Sequence, residues 1–181
     1  MRAQVERHIG PRRFVCLSDV EVNCERIPLE HDWPGWWSKL ALFERGLFDG
    51  SVLYLDLDTL IVGPLPDLLN PAYAKLTSFA TLEDFNYKGM PASGVMLWSA
   101  DTVPLYEIAL TDPPLMNHER SDGWWATHFK PRSFLQMIWP GVFGSYKVDR
   151  LEQGPGDFKV ISFHGIPKMN SAAPWAQKAW G

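Results

Sequence analysis

Residues 51–65 read SVLYLDLDTLIVGPL, an apolar run of strand-forming residues with two aspartates, Asp56 and Asp58, at its carboxyl end. Gly50 on one side and Gly63-Pro64 on the other punctuate the run, so it reads as a strand buried on both faces. An unpaired carboxylate in such a place costs several kcal/mol, so something must compensate the pair. Successive strand side chains point to opposite faces, which predicts that Asp56 and Asp58 project together while Leu57 enters the other layer. The pair also stands where open α/β sheets place their ligand crevice, at the carboxyl end of the strand.

Elsewhere apolar runs alternate with helix-like segments, the pattern of an α/β protein whose mostly parallel sheet is covered by helices. Strands are expected near 13–19, 24–29, 52–58, 79–85, 93–98, 144–148 and 159–165. Trp36, Leu40, Phe43 and Leu47 fall at helical spacing, which predicts a helix over 36–48 with one face on the sheet. Further helices are expected over 103–110, 122–129 and 132–138. The opening AQVERHIG reads as the tail of a helix that runs straight into a strand. A sheet of this class ordinarily begins with a strand, so the first one is expected to be lacking. At 181 residues the chain suits a single domain over 1–181, large enough to bury roughly two thirds of its unfolded surface.

A formal net charge of −4, with basic residues clustered only in PRR at 11–13, argues against nucleic acid or an anionic membrane as partner. The first residues carry no apolar core of signal-peptide length, and no window reaches the ~18 apolar residues of a membrane span. The default compartment is therefore the cytoplasm. Cys16 and Cys24 are too few for a disulfide scaffold and form no CxxC or Cys/His pattern, so both are read as reduced core residues. No G-x-S-x-G, P-loop, G-x-G-x-x-G or H-E-x-x-H signature is present.

Two hard oxygen ligands on one strand face suit Mg²⁺ or Mn²⁺, which keep coordination sites open for phosphate oxygens. A second run, KVISFH, ends on His164 and is followed by Gly165 and, three residues later, Lys168. An imidazole can complete a Mn²⁺ site, and the lysine can set a point positive charge against a phosphate. The competing readings are that the aspartates cap the strand by accepting loop hydrogen bonds and that His164 is structural. Glu83 and Asp84 lie at another expected strand end, where either can meet a sugar hydroxyl, act as a base, or face solvent. Trp36, Trp37, Trp98, Trp124 and Trp125 are candidates for stacking on sugars, against the alternative that they build the core.

VLYLDLDTLIVGPLPDLL resembles the DxD segment of nucleotide-sugar glycosyltransferases of the GT-A fold, especially glycosyltransferase family 8 and its bacterial relatives. GWWSKLALF is similar to the helix before that strand, with its basic residue at Lys39; PASGVMLW to the family's Asn-Ser-Gly-Val strand; and FHGIPK to its closing His-Gly-Lys segment. In order, the four pieces cover about 14–168. The resemblance implies a GT-A-like α/β/α sandwich that transfers a sugar from a nucleotide-diphosphate donor, a UDP-sugar, to a glycan or other acceptor, with retention of configuration. It implies Mn²⁺ or Mg²⁺ held by Asp56, Asp58 and His164. It assigns Lys39, Asp56, Asp58 and Asp122 to catalysis, and Asp84, Ser93, Gly165 and Lys168 to donor binding. The first strand of such enzymes holds the nucleotide base, and here it would precede Met1.

The chain departs from that pattern at several places. Ser162 stands where the family commonly has its histidine, and His164 lies two residues later on the same expected strand face. The Pro-Trp that usually follows the lysine occurs only at Pro174-Trp175. Ala92 replaces a common asparagine, and Gly123 a glutamine next to Asp122; Asp122 also suits a helix N-cap. Two other readings remain. One is a non-catalytic carbohydrate- or nucleotide-sugar-binding protein. The other is a haloacid-dehalogenase-type phosphatase, whose D-x-D-x-Thr/Val pattern is broken because Thr59 comes one position early.

Overall fold

The computed structural model describes residues 1–70, 78–111, 123–130 and 132–181. Within them the expected α/β class holds, with the strands distributed over three sheets. β1 (Val15–Ser18) and β2 (Glu25–Pro28) form a parallel pair. A four-stranded sheet has the order β3 (Ser51–Leu55), β6 (Pro91–Ser99), β5 (Phe79–Glu83), β7 (Ser133–Phe134). A three-stranded sheet has the order β4 (Thr59–Ile61), β9 (Val160–Ser162), β8 (Phe143–Ser145).

These sheets are mixed, not mostly parallel. β6 runs antiparallel to both β3 and β5, and β4 antiparallel to β9, while β5–β7 and β8–β9 are parallel. The connection over 84–90 explains the central reversal, since it is long enough for a hairpin and too short for a parallel crossover of about a dozen residues.

The strand β6 separates two cores. Its alternation sends Met96 and Trp98 to one face and Val95 and Leu97 to the other, all four buried. On the first face they meet Trp37, Leu40, Phe43, Phe79 and Trp125, and on the second Leu82, Leu135, Phe143 and Val160. Complete burial of such side chains contributes about 1.5–3 kcal/mol each. A third core, from Leu60, Ile161, Phe163 and Ala176, holds the three-stranded sheet against the C-terminal helix (Pro174–Trp180).

Three sequence expectations are corrected in detail. The helix expected over 36–48 is a 3-10 helix over Gly35–Phe43. Its three-residue turn buries Trp37, Leu40 and Phe43 on one side and leaves Trp36 outside the core, 45 % exposed. The strand expected over 52–58 stops at Leu55, is only half buried, and lies at an edge of the four-stranded sheet among the described residues. The helix expected over 132–138 divides into β7 and a single turn, Leu135–Ile138.

The helix-like opening is α1 (Arg2–His8), and α2 (Leu105–Thr111) matches the helix expected near 103–110. Cys16 and Cys24 are both free thiols. Among the described residues, no helix is long and apolar enough to cross a membrane.

Candidate functional site

Asp56, Leu57 and Asp58 carry the chain from the four-stranded sheet to the three-stranded one. The Asp56 N–H donates to the Gly94 carbonyl on β6 (2.8 Å), and the Thr59 N–H closes a turn on the Asp56 carbonyl (3.0 Å). On the far side the Phe163 N–H, just past β9, donates to the Asp58 carbonyl (2.9 Å). The aspartates therefore sit on a turn across the seam between two sheets and not on a strand. Leu57, expected to enter a core, is 75 % exposed. The turn nevertheless brings both carboxylates to one cavity of about 1040 Å³, because its two ends are pinned to different sheets.

Most of the residues singled out from sequence line this cavity. Lys39 comes from the 3-10 helix, Asp56 and Asp58 from the turn, Asp84 from the end of β5, and His164, Gly165 and Lys168 from the segment after β9. Gly165 has φ 73°, a conformation that side chains rarely adopt, and it turns the chain so that Lys168 faces back toward Asp58. Ser93 is fully buried behind this wall, where its Oγ accepts a hydrogen bond from Lys39 Nζ (3.0 Å); it supports the lysine and does not line the cavity. Asp122 lies outside the described residues.

Each carboxylate has a cation at hand. Lys39 Nζ lies 2.8 Å from Asp56 Oδ1 and 2.9 Å from Oδ2, the Tyr54 hydroxyl donates to Oδ1, and the Tyr54 ring lies 5.5 Å from the same ammonium. Lys168 Nζ lies 2.8 Å from Asp58 Oδ2. The lysines thus supply the compensation that the apolar run demands. His164 is held by a ring nitrogen, Nε2, 2.7 Å from Ser145 Oγ, and by Phe85, whose ring is parallel to the imidazole at 5.7 Å between centroids. Asp84 Oδ1 accepts the N–H groups of Asn86 (2.7 Å) and Tyr87 (3.0 Å), so it shapes the β5–β6 hairpin as well as lining the cavity. Glu83 does similar work, accepting the Gly89 N–H at 2.7 Å.

Two departures from the family pattern acquire physical reasons or places. A Cβ at Gly123 would lie 2.1 Å from the Pro91 carbonyl oxygen, so the backbone of β6 leaves no room there for a glutamine. Ala92 lines the cavity, where it presents only a methyl group. Of the five tryptophans considered for sugar stacking, Trp37, Trp98 and Trp125 belong to the core and Trp124 packs against it; Trp36 lines the cavity.

Sequence reasoning missed Tyr54, Phe85, Ser145 and the half-exposed Trp180, of which all but Ser145 line the cavity. Tyr54 was legible in principle, since the strand expected over 52–58 would have put it on one face with Asp56. Trp180 and Ser145 reach the site only through tertiary packing.

Two carboxylates and an imidazole on one cavity are the donor class that suits Mn²⁺ or Mg²⁺. Among the described residues, no three His, Cys, Asp or Glu side chains stand close enough to share one ion, since each of these donors is drawn to its own partner. The charge balance points the other way, toward a cation: the cavity sets two lysines against three aspartates, a formal −1 with histidine counted as neutral. A diphosphate placed there unaccompanied would add negative charge to a negative site, and a divalent cation reverses that sign. No family model matches the chain, and none of the curated proteins compared with it matches.

Proposed function

We propose that this chain is a metal-dependent glycosyltransferase that moves a sugar from a nucleotide-diphosphate donor, a UDP-sugar, to a glycan or other acceptor. One observation carries the reading. The DxD turn, the His-Gly-Lys segment and the lysine of the first 3-10 helix, remote from one another in sequence, converge on a single cavity.

In this reading Asp56, Asp58 and His164 would hold Mn²⁺ or Mg²⁺ only after giving up the partners that now keep them apart, Lys39, Lys168 and Ser145. When bound, the ion supplies a Lewis acid that neutralises charge on the departing nucleoside diphosphate. Lys168, on an exposed segment at the cavity mouth, adds a fixed positive charge beside the same phosphates. Lys39 holds Asp56 through both of its oxygens, and Tyr54 and Ser93 hold the pair in register with β6. Trp36 and Trp180 offer flat apolar faces at the rim, where a pyranose ring can stack while Asp84 meets its hydroxyls.

Binding without catalysis is the second reading, and the lysine–carboxylate pairs favour it because they occupy the groups that an ion needs. A UDP-glucose hydrolysis assay with and without Mn²⁺, on the wild type and Asp58→Ala, separates the two. Mn²⁺-dependent hydrolysis that Asp58→Ala abolishes supports the transferase. Binding of UDP-glucose with equal, metal-independent background turnover in both proteins removes it.

A further inference from the structure

Cys16 and Cys24 lie on one face of a weakly anchored sheet. The parallel register sets Cys16 beside Arg26, and Cys24 precedes Arg26 by two positions, so the alternation of side chains turns both cysteines the same way. Both are partly exposed free thiols on the wall of one apolar groove of about 600 Å³. They are also within reach of each other, since Cys24 acts on the Cys16 thiol through its charge and through a hydrogen bond. Among the described residues β1 and β2 pair only with each other, and of the two strands only Leu17 packs against a core.

We propose that Cys16 and Cys24 form a reversible dithiol–disulfide couple, oxidised by a low-molecular-weight disulfide such as oxidised glutathione, and that the bond locks β1 to β2 along the groove. The couple is independent of the carboxylates and lysines of the cavity, which neither thiol lines. One cysteine thiolate attacks a sulfur of oxidised glutathione. A protein–glutathione S–S bond forms as the glutathione S–S bond breaks, and one glutathione leaves as thiolate. The second cysteine thiolate then attacks the protein sulfur of that mixed disulfide and expels the other glutathione. The leaving thiolates take up the protons that the cysteines gave up, and oxidised glutathione gains the electron pair that the cysteines lose. Burial, followed by Cys24, raises the Cys16 thiol above its ordinary value, so the first attack falls to Cys24 and the resolving one to Cys16.

The span closes after a small adjustment. Neighbours two positions out of register on paired strands stand about 7–8 Å apart, and a disulfide joins Cα atoms up to about 6.8 Å apart. Cys24 must therefore approach by about 1 Å. It has room to do so, because β2 starts only at Glu25 and Cys24 ends the connection over 19–24. That connection contributes nothing to the three cores, and Val20 within it is 62 % exposed. Closing so short a loop suppresses openings in which β1 and β2 separate, because a covalent bond then joins strands otherwise held by backbone hydrogen bonds. Oxidation thus stiffens the groove wall, and reduction releases it.

Equilibration of the full chain in buffers of graded reduced-to-oxidised glutathione ratio, with thiol trapping and peptide mapping by mass spectrometry, tests the couple. The wild type is expected to lose two hydrogens, to yield a Cys16–Cys24 linked peptide, and to recover both thiols in dithiothreitol. Cys16→Ser and Cys24→Ser should each stop at a single glutathione adduct, formed more slowly in Cys24→Ser, where only Cys16 remains to attack. Hydrogen exchange of the amides over 15–18 and 25–28 should slow by about 10-fold or more in the oxidised wild type, and glutathione should leave it unchanged in both variants. A wild type that ends with an adduct on each cysteine, with disulfides between chains, or fully reduced across the series overturns the couple. An internal disulfide that leaves exchange over the two strands unaltered overturns the lock.

Discussion

The cavity at Asp56 and Asp58 and the groove along β1 and β3 adjoin, sharing Trp36, Lys39, Tyr54 and Leu57, and differ in the charge they carry. Aspartates and lysines from turns, a strand end and the 3-10 helix line the cavity, of about 1040 Å³, among apolar side chains such as Leu82, Phe85 and Trp180. The groove, about 600 Å³, runs along the whole of β3 and most of β1 and is walled mainly by apolar side chains such as Leu17, Val52, Leu53 and Trp98. In the cavity, burial is tolerated because each carboxylate has a cation; in the groove, apolar side chains rest on the cores beneath them. On the proposed function, substitutions in the cavity should act mainly on ligand chemistry and those in the groove mainly on stability.

The largest expected effect is on the polar side. Asp58→Ala should lower Mn²⁺-dependent UDP-glucose hydrolysis by about 100-fold or more, the scale of losing one electrostatic element of a site. Its unfolding free energy should stay within about 0.5 kcal/mol of wild type, because the lysine it releases is exposed. Comparable losses of activity and stability in that variant would break the distinction.

Lys39→Met is expected to cross it. The substitution removes an ammonium from both oxygens of a largely buried carboxylate, and urea denaturation should show a loss of about 2–3 kcal/mol, below the range for fully buried pairs because some water reaches Asp56. On the apolar side, Leu53→Ala should cost about 1–2 kcal/mol by the same measurement and leave Mn²⁺-dependent nucleotide affinity unchanged. Leu53 stands opposite Leu97 and is only partly buried, which places it at the low end for such truncations.

Smaller effects probe the groove chemically. Burial, followed by the neighbouring Cys24, raises the Cys16 thiol above its ordinary value, so less of it is thiolate at a given pH. Iodoacetamide should therefore label Cys16 more slowly than a free thiol peptide near neutral pH, with the gap closing as pH rises; equal rates would show that the groove wall does not shield it.

The smallest effect lies between β1 and β2, where the Arg13 guanidinium beside Glu25 holds that carboxyl below its usual value. A depressed carboxyl favours the folded state above its unfolded pKa, and that contribution is lost as pH falls through the folded value. Glu25→Gln should thus melt slightly lower than wild type at pH 7 and converge with it in acid, as followed by circular dichroism.

Several elements were legible because their causes are local. β1, β5, β6 and β9 announced themselves as apolar runs between turn residues, and α1 and α2 as helix-like stretches. The two aspartates drew attention because carboxylates at the end of an apolar run need an explanation, and Lys168 was a natural partner from its place after His164. Other features were hidden because their causes are distant. A spacing of three or four apolar residues did not distinguish an α-helix from the 3-10 helix that sends Trp36 to the cavity and Trp37 to the core. The end of β3 at Leu55 depends on Gly94 and Phe163 claiming the backbone of the following turn from two different sheets.

What the amino-acid order determined by itself was the inventory of the site: which carboxylates, imidazole and ammonium groups stand at the ends of apolar runs, and that those carboxylates require cations. What only the tertiary structure decided was the pairing. Lys39 with Asp56, Lys168 with Asp58 and His164 with Ser145 are contacts between segments that no sequence period relates. Burial then makes the first pair the more strongly coupled and the second the weaker, because the coupling of two charges depends on the water around them and not on their positions in the chain.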